Sequence, residues 1–347
     1  MASKKGTKNN VTIYDIAKVT GLSVATVSRA LNKKGYVSEE AKEKILQAQK
    51  ELNYVPNAIA QSLKIKKTNQ IMICLPDNNN PFYFRMIAAF QEACKKEDYS
   101  LLLSYYEKND AELIKIIRKL QNQFADGLIL VTINLNDLLI NEIEKLGIPV
   151  ILCSYFNLNI KDENRNFDYV GVDTKKGIYY ATKHLIDQGH RKIAYVGMSL
   201  NSTTGQHRFD GYKMAMAEYN LAIDDYWIRL GDSYEKLGYE SALKFATDGK
   251  LPTAICAAND LIVLGIYDAF EKMGIKIPDE VSVIGMDNDD ITHRITPKIS
   301  SVDIAPEFIG QTAIDLLFNR IKTVDTFNKN IIFEPRLIIR DSSVKKL

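Results

Sequence analysis

From residue 71 onward, short unbroken apolar runs alternate with stretches of helical period, and few architectures accommodate that pattern. The runs at 71–75, 101–104, 127–133 and 150–153 have the length and composition of strands buried on both faces. Helical spacing fills the gaps at 81–96, 111–124 and 135–146. The pattern then recurs. Apolar runs at 169–172, 193–197, 254–257 and 281–284 are separated by helical stretches ending near 188, 214 and 270, with one more around Ser241. Two similar α/β lobes are therefore expected, each a doubly wound parallel sheet. In such sheets a ligand binds beyond the carboxyl ends of the strands, here in the cleft between lobes.

The residues expected at those strand ends are chemically specific. Asp77 follows Leu75-Pro76 and precedes Asn80-Pro81-Phe82. Asn259-Asp260 follow Ala257-Ala258, Asp287 follows Gly285-Met286, and Arg208 lies just before Gly211. Carboxylates, an amide, an arginine and an aromatic ring can surround a polyol. The charged groups bond hydroxyls while a ring covers a C–H face. The plainer reading of Asp77, Asn259 and Asp287 is helix capping.

Charge sets the first 68 residues apart. They carry a net +8, and the remainder a net −6, within an overall +2. A small basic head on an acidic body suits a nucleic-acid partner. Thr12-Ile13-Tyr14-Asp15 reads as a capping box, Gly21 as a turn, Ser23 as the cap of a helix over 24–31, and Ser38 as the cap of a third helix ending near Leu52. Ile16, Ala17, Leu22 and Val27 can lock the first two helices as a helix-turn-helix. The second helix then offers Val24, Ala25 and Arg29 to base edges. Arg29 has the fork for guanine, and the other two have only apolar contact to give. Thr12, Ser23, Thr26, Ser28, Asn32 and Tyr54 suit phosphate oxygens.

After this unit, residues 57–64 begin with a capping Asn57 and place Ile59 and Leu63 four apart. A helix that short is not stable alone in water and needs a partner.

These stretches carry a family resemblance. Val11-Thr12-Ile13-Tyr14-Asp15-Ile16-Ala17, Val24-Ala25-Thr26-Val27-Ser28-Arg29-Ala30-Leu31-Asn32 and Leu52-Asn53-Tyr54-Val55-Pro56-Asn57 resemble the headpiece of LacI/GalR bacterial transcription regulators. Leu75-Pro76-Asp77, Gly189-His190-Arg191-Lys192, Arg208-Phe209-Asp210-Gly211, Ala258-Asn259-Asp260 and Gly285-Met286-Asp287 resemble the family's effector domain, itself similar to periplasmic sugar-binding proteins. The resemblance implies a headpiece over 1–56, a hinge helix and linker over 57–68, and a two-lobed effector and dimerisation domain over 69–347. The first lobe would hold about 69–168 and 302–331, and the second about 169–301 and 332–347.

The resemblance also implies that Leu63 wedges into a base step from the minor groove, with Ala60 and Asn57 beside it. Asp77, Phe82, Arg208, Asn259 and Asp287 map to effector positions. Ser154 stands where some sugar-responsive members have an acid. The expected protein is a homodimeric repressor of carbohydrate-related genes, bound to a near-palindromic operator and controlled by a sugar or sugar derivative. The alternatives are a solute-binding protein of a sugar transporter and a regulator controlled by a protein corepressor.

An enzyme is not expected. No dinucleotide fingerprint, nucleophile elbow or P-loop motif occurs, so no catalytic residue and no cofactor are assigned. Cys74, Cys94, Cys153 and Cys256 form no C-x-x-C pair, and His184, His190, His207 and His293 lack metal-ligand spacing, so no metal is expected. Residues 1–10 are polar and basic without an apolar core, and no apolar run reaches membrane-spanning length. A cytoplasmic protein with no membrane partner is the expectation.

Overall fold

The computed structural model describes residues 11–32, 35–55, 67–76, 80–106, 110–121, 124–132, 136–155, 167–231, 234–323 and 327–344. The chain divides into two compact units, Met1–Thr68 and Asn69–Leu347.

The smaller unit holds three helices: α1 (Ile13–Thr20), α2 (Val24–Leu31) and α3 (Glu39–Glu51). The first begins where the Asp15 carboxylate reaches back to the Thr12 amide at 2.8 Å. The Thr12 hydroxyl donates to the same oxygen at 2.7 Å. It stops at Gly21, whose φ of 69° is left-handed and open to glycine at no steric cost. Ser23 and Ser38 accept the amides of Thr26 and Ala41, starting α2 and α3. Ile16, Ala17, Val27, Ile45 and Ala48 form the closed core, with Leu22 and Tyr54 packed on its margin. Helical spacing alone put these side chains on facing stripes.

The larger unit starts with β1 (Gln70–Pro76), α4 (Pro81–Lys96), β2 (Ser100–Tyr106), α5 (Asp110–Leu120), β3 (Gly127–Thr132), α6 (Asp137–Glu144), β4 (Val150–Tyr155) and β5 (Asp168–Val172). The second lobe follows with α7 (Thr174–Asp187), β6 (Ile193–Met198), α8 (Thr203–Glu218), β7 (Ile228–Gly231), α9 (Tyr234–Thr247), β8 (Ala254–Ala257), α10 (Asp260–Met273), β9 (Ser282–Asp287) and β10 (Ser300–Asp303). The chain then returns through α11 (Pro306–Lys322) and β11 (Asn330–Phe333) to the first lobe. It ends with β12 (Arg336–Ile338) in the second. The strand orders are β11-β5-β4-β3-β1-β2 and β12-β10-β9-β8-β6-β7.

Two details differ from the expectation. The run at 169–172 does not open the second lobe. It is β5, paired parallel with β4 from Ile151↔Asp168 to Tyr155↔Val172, so the first crossing follows Val172. A buried apolar run fits either sheet equally, and periodicity does not choose between them. The second sheet is also not wholly parallel, because β12 pairs antiparallel to β10. Only two residues separate β11 in the first sheet from β12, which enters the second sheet at its edge running against β10.

Close helix packing shapes the second lobe. A Cβ on Gly211 in α8 would sit 2.1 Å from the Lys175 carbonyl of α7. One on Gly265 in α10 would sit 1.9 Å from the Glu235 carbonyl of α9. Glycine at 211 lets α8 lie hard against α7, one turn from Arg208. All four cysteines are buried free thiols, and burial pushes those of Cys74 and Cys256 up to about 12.

Candidate functional site

The second lobe gathers charge at the carboxyl end of its sheet. Arg208 projects from α8, and its Nη2 lies 3.1 Å from Asp287 Oδ1 at the end of β9. The two side chains are 2% and 1% exposed. Arg208 Nη1 also donates to the Ala258 carbonyl, directly before Asn259. Asn259 Oδ1 accepts the Ile262 amide at 2.9 Å and caps α10, so the plain capping role holds for that atom. Asp287 is no cap. Burial raises its carboxyl above the ordinary range, while Arg208, Asn80 and Arg85 pull the other way. Asn80 and Arg85 belong to the first lobe, so both lobes bear on this carboxylate.

Two further buried acids stand beside it, and neither was singled out as a site residue from sequence. Asp260 opens α10. It accepts the Ser301 hydroxyl at 2.7 Å and the Asp289 amide at 2.9 Å. A Cβ at Gly285 would lie 2.2 Å from its Oδ1, which makes glycine the residue that admits it. Burial, with Asp287 and Asp289 close by, pushes its carboxyl well above the ordinary range. Asp289 is 1% exposed, and among the described residues neither oxygen of its carboxyl group has a hydrogen-bond partner. Burial raises it to about 7, helped by the charge of Asp287 and opposed by Arg85 and Arg208.

Asp289 therefore has a measurable signature. An unfolded aspartate titrates near ~4, so folding takes up a proton between ~4 and about 7. Stability contributed by that proton is present at low pH and lost as pH rises through the folded value. The effector domain is expected to melt higher at pH 5.5 than at pH 8. Asp289→Asn should flatten that slope and raise the pH 8 melting temperature by about 2–6 °C. An unchanged slope by differential scanning calorimetry would remove Asp289 from this role.

The other sequence-assigned effector residues lie differently. Phe82 is 3% exposed inside the hydrophobic core, edge-on to Tyr83 with ring centroids 5.3 Å apart. In this structure it offers little ring surface to a ligand. Asp77 and the Ser154 side chain lie outside the described residues.

In the small unit, α2 presents Ala25 and Arg29 on its exposed side, with Val24 half-buried and Val27 in the core. Arg29 Nε donates to the Ala25 carbonyl at 3.3 Å, folding the side chain along its own helix. Ser23 and Thr26 share a hydroxyl contact of 2.9 Å, and Asn32 donates to the Ser28 carbonyl at 2.8 Å. Thr12 is held by Asp15 as described, and Tyr54 is half-buried. Tyr14 and Tyr36 are exposed large aromatics here that were not assigned from sequence. Tyr14 lies in the short α1 and Tyr36 between α2 and α3, and a lone exposed aromatic in either place carries no periodic signal. Asn57, Ala60 and Leu63 lie outside the described residues.

A helix-turn-helix unit with an open recognition face, joined to a two-lobed domain that buries a charged site at its strand ends, defines a ligand-responsive DNA-binding regulator. Comparisons with known proteins agree. Residues 12–57 match the model of the lacI family of bacterial regulatory proteins, and residues 182–343 that of the periplasmic binding protein-like domain. The HTH-type transcriptional repressor PurR of Histophilus somni (strain 129Pt) is 34% identical over 337 residues, covering 97% of this chain and 99% of that one. A solved complex of the transcriptional regulator CelR with cellobiose is 26% identical, with a TM-score of 0.71, covering 96% of this chain and 99% of that one. A lac repressor dimer bound to operator and the anti-inducer ONPF shares the fold at a TM-score of 0.83 and 24% identity, covering 97% and 100%. The chain belongs to the LacI family. It is a transcriptional repressor and not an enzyme. No helix among the described residues is long and apolar enough to cross a membrane.

Proposed function

We propose that this repressor is a cytoplasmic homodimer that holds a near-palindromic operator and releases or tightens on it when a sugar or sugar derivative fills the cleft between its lobes. The observation that carries the effector reading is the buried Arg208–Asp287 pair at the carboxyl end of the second sheet. A charged donor and a charged acceptor held side by side suit the adjacent hydroxyls of a sugar, each of which both gives and accepts a hydrogen bond. Asn259 and, from the first lobe, Asp77 complete the proposed set. The cellobiose bound by CelR, a relative across nearly the whole chain, supports this choice of ligand class.

On the DNA side, α2 enters the major groove. Arg29 leaves its Ala25 carbonyl to reach guanine, Val24 and Ala25 pack on thymine methyls, and Thr12, Ser23, Thr26, Ser28, Asn32 and Tyr54 anchor phosphates. Asn57, Ala60 and Leu63 form the hinge helix. Paired with its twin, it opens the minor groove at a flexible pyrimidine–purine step and bends the duplex. Closure of the lobes shifts the points from which the paired hinges emerge. A coupling of about 1–3 kcal/mol gives roughly 5–150-fold control.

The test has two arms. An operator selected from random duplexes is titrated by mobility shift across salt, where binding should weaken steeply with added salt. The full-length protein is then screened by thermal shift against cellobiose, ribose, other sugars, sugar phosphates and nucleobases. A neutral sugar should raise the melting temperature and change operator affinity. Stabilisation by a nucleobase and by none of the sugars would overturn the carbohydrate assignment and leave the DNA-binding one standing.

A further inference from the structure

We propose that Arg85 is a latch between the lobes. It would hold the turn that presents Asp287 in its binding geometry only while the lobes are closed, whichever small molecule the cleft accepts.

The turn itself is the first observation. Asp287 and Asn288 both have left-handed backbones, with φ of 109° and 51°. Two consecutive non-glycine residues in that region persist only where surrounding groups over-determine them. Side chains from both lobes do so here. Arg208 holds the Asp287 side chain, Ser301 accepts the Asn288 amide at 3.0 Å, and Arg340 donates to the Asn288 side chain at 2.7 Å. Those three come from the second lobe or its final segment. Thr292 adds a weaker tie to the Asn288 side chain at 3.5 Å. The others come from the first lobe, where Asn80 also bears on the Asp287 carboxyl. Arg85 Nη1 donates to the Asn288 carbonyl at 3.0 Å and, more weakly, to the Asp287 carbonyl at 3.4 Å.

The second observation is what holds Arg85. Its Nε and Nη2 make a two-pronged ion pair with Glu307 at 2.5 and 2.9 Å. Glu307 sits in the first turn of α11, immediately after the crossover at 303–306 that carries the chain between lobes. In turn, α11 packs on α4 and on the first sheet. One guanidinium thus joins α4, the start of α11 and the strained turn of the effector site. Its planar fork is what allows this. Two donors face the carboxylate while a third faces the carbonyls, and an ammonium cannot serve both in fixed directions.

Opening the lobes would pull Arg85 from the two carbonyls and leave the left-handed turn with ties from one side only. Site geometry and lobe closure would then be a single equilibrium, and Arg85 a positioning residue acting through the main chain of 287–288. Asp289 carries a buried carboxylate next to the same turn and feels the Arg85 charge, so the latch also bears on that group.

The test needs no effector. Full-length wild type, Arg85→Ala, Arg85→Lys and Glu307→Gln are compared by hydrogen exchange of the segment 285–290. They are also compared by energy transfer between dyes at Leu138→Cys and Met273→Cys, both exposed and in different lobes. The native cysteines are buried. Arg85→Ala is expected to exchange at least tenfold faster over 285–290 and to move the dyes apart, with the melting temperature changed by less than about 3 °C. Arg85→Lys keeps the charge but not the fork, and should fall about midway. Glu307→Gln should speed exchange less than Arg85→Ala does. A purely stabilising ion pair predicts a lower melting point with wild-type dye separation, and that result overturns the proposal. So does wild-type exchange in Arg85→Ala. Should Arg85→Ala not fold, wild-type exchange and dye separation in Arg85→Lys overturn it equally.

Discussion

Arg208→Ala is expected to destabilise the effector domain by about 3–5 kcal/mol and to abolish its response to the effector. Removing one member of a buried ion pair leaves the other charged and uncompensated, which costs more than the pair itself contributes. Here the survivor is Asp287, 1% exposed and already raised by burial, with Asp260 and Asp289 beside it. Without the guanidinium, three buried carboxyls face one another, and protonation is the cheapest relief. The loss should therefore be largest at high pH and shrink toward pH 5. Asp287→Asn leaves a neutral acceptor and should cost less, and the double variant less than the sum of the singles. Urea unfolding at pH 5.5 and pH 8, with thermal shift on the best sugar, measures all of this. A cost under about 1 kcal/mol at pH 8, or a full sugar response in Arg208→Ala, would remove the pair from both roles.

The second large effect concerns DNA. Leu63→Ala is expected to weaken operator binding by about 30–150-fold and to reduce the bend. Burial of one leucine side chain, worth about 2–3 kcal/mol, is what drives opening of the base step. Non-specific binding rests on phosphates and should hardly change, so the specificity ratio should fall with the affinity. Effector binding and thermal stability should be those of wild type, since Leu63 would act only with DNA present. Mobility shift with circularly permuted operators reads affinity and bend together. Unchanged affinity with an unchanged bend would end the wedge reading.

Much of the fold was legible because it depends on short-range periodicity. The headpiece core of Ile16, Val27 and Ile45 follows from helical spacing between recognisable caps. The strands follow from apolar runs bounded by turn residues. Asn259 and Asp287 could be picked out as polar residues at predicted strand ends, and Arg208 through the stretch Arg208-Phe209-Asp210-Gly211, although nothing local says that residues 79 positions apart form an ion pair.

Other parts had no local signal. Asp287-Asn288-Asp289-Asp290 reads as an acidic turn in which the carboxylates look alike. In the structure Asp289 is 1% exposed while the Asp290 side chain is 76% exposed. The left-handed turn at 287–288 makes that choice, and contacts from distant parts of the chain hold it. Arg85 reads as an ordinary charged position on a helix, and its partners lie more than 200 residues away. Phe82 could be read as a ring over a sugar, yet the first lobe buries it against Tyr83.

Sequence by itself determined most of the helices and the longer buried strands, the caps that start the headpiece helices, that the head is basic and the body acidic, and which residue types stand at several strand ends, whereas the short strand β7 (Ile228–Gly231) gave no signal. Those are properties of neighbours within a few residues, set by side-chain spacing and caps. Tertiary structure alone decided which sheet β5 joins, which acids of the site lose their water, and that one arginine of the first lobe grips the main chain of the second. These outcomes depend on surfaces that meet only after the chain has crossed between lobes three times, so burial and pairing there belong to the folded domain rather than to any one stretch.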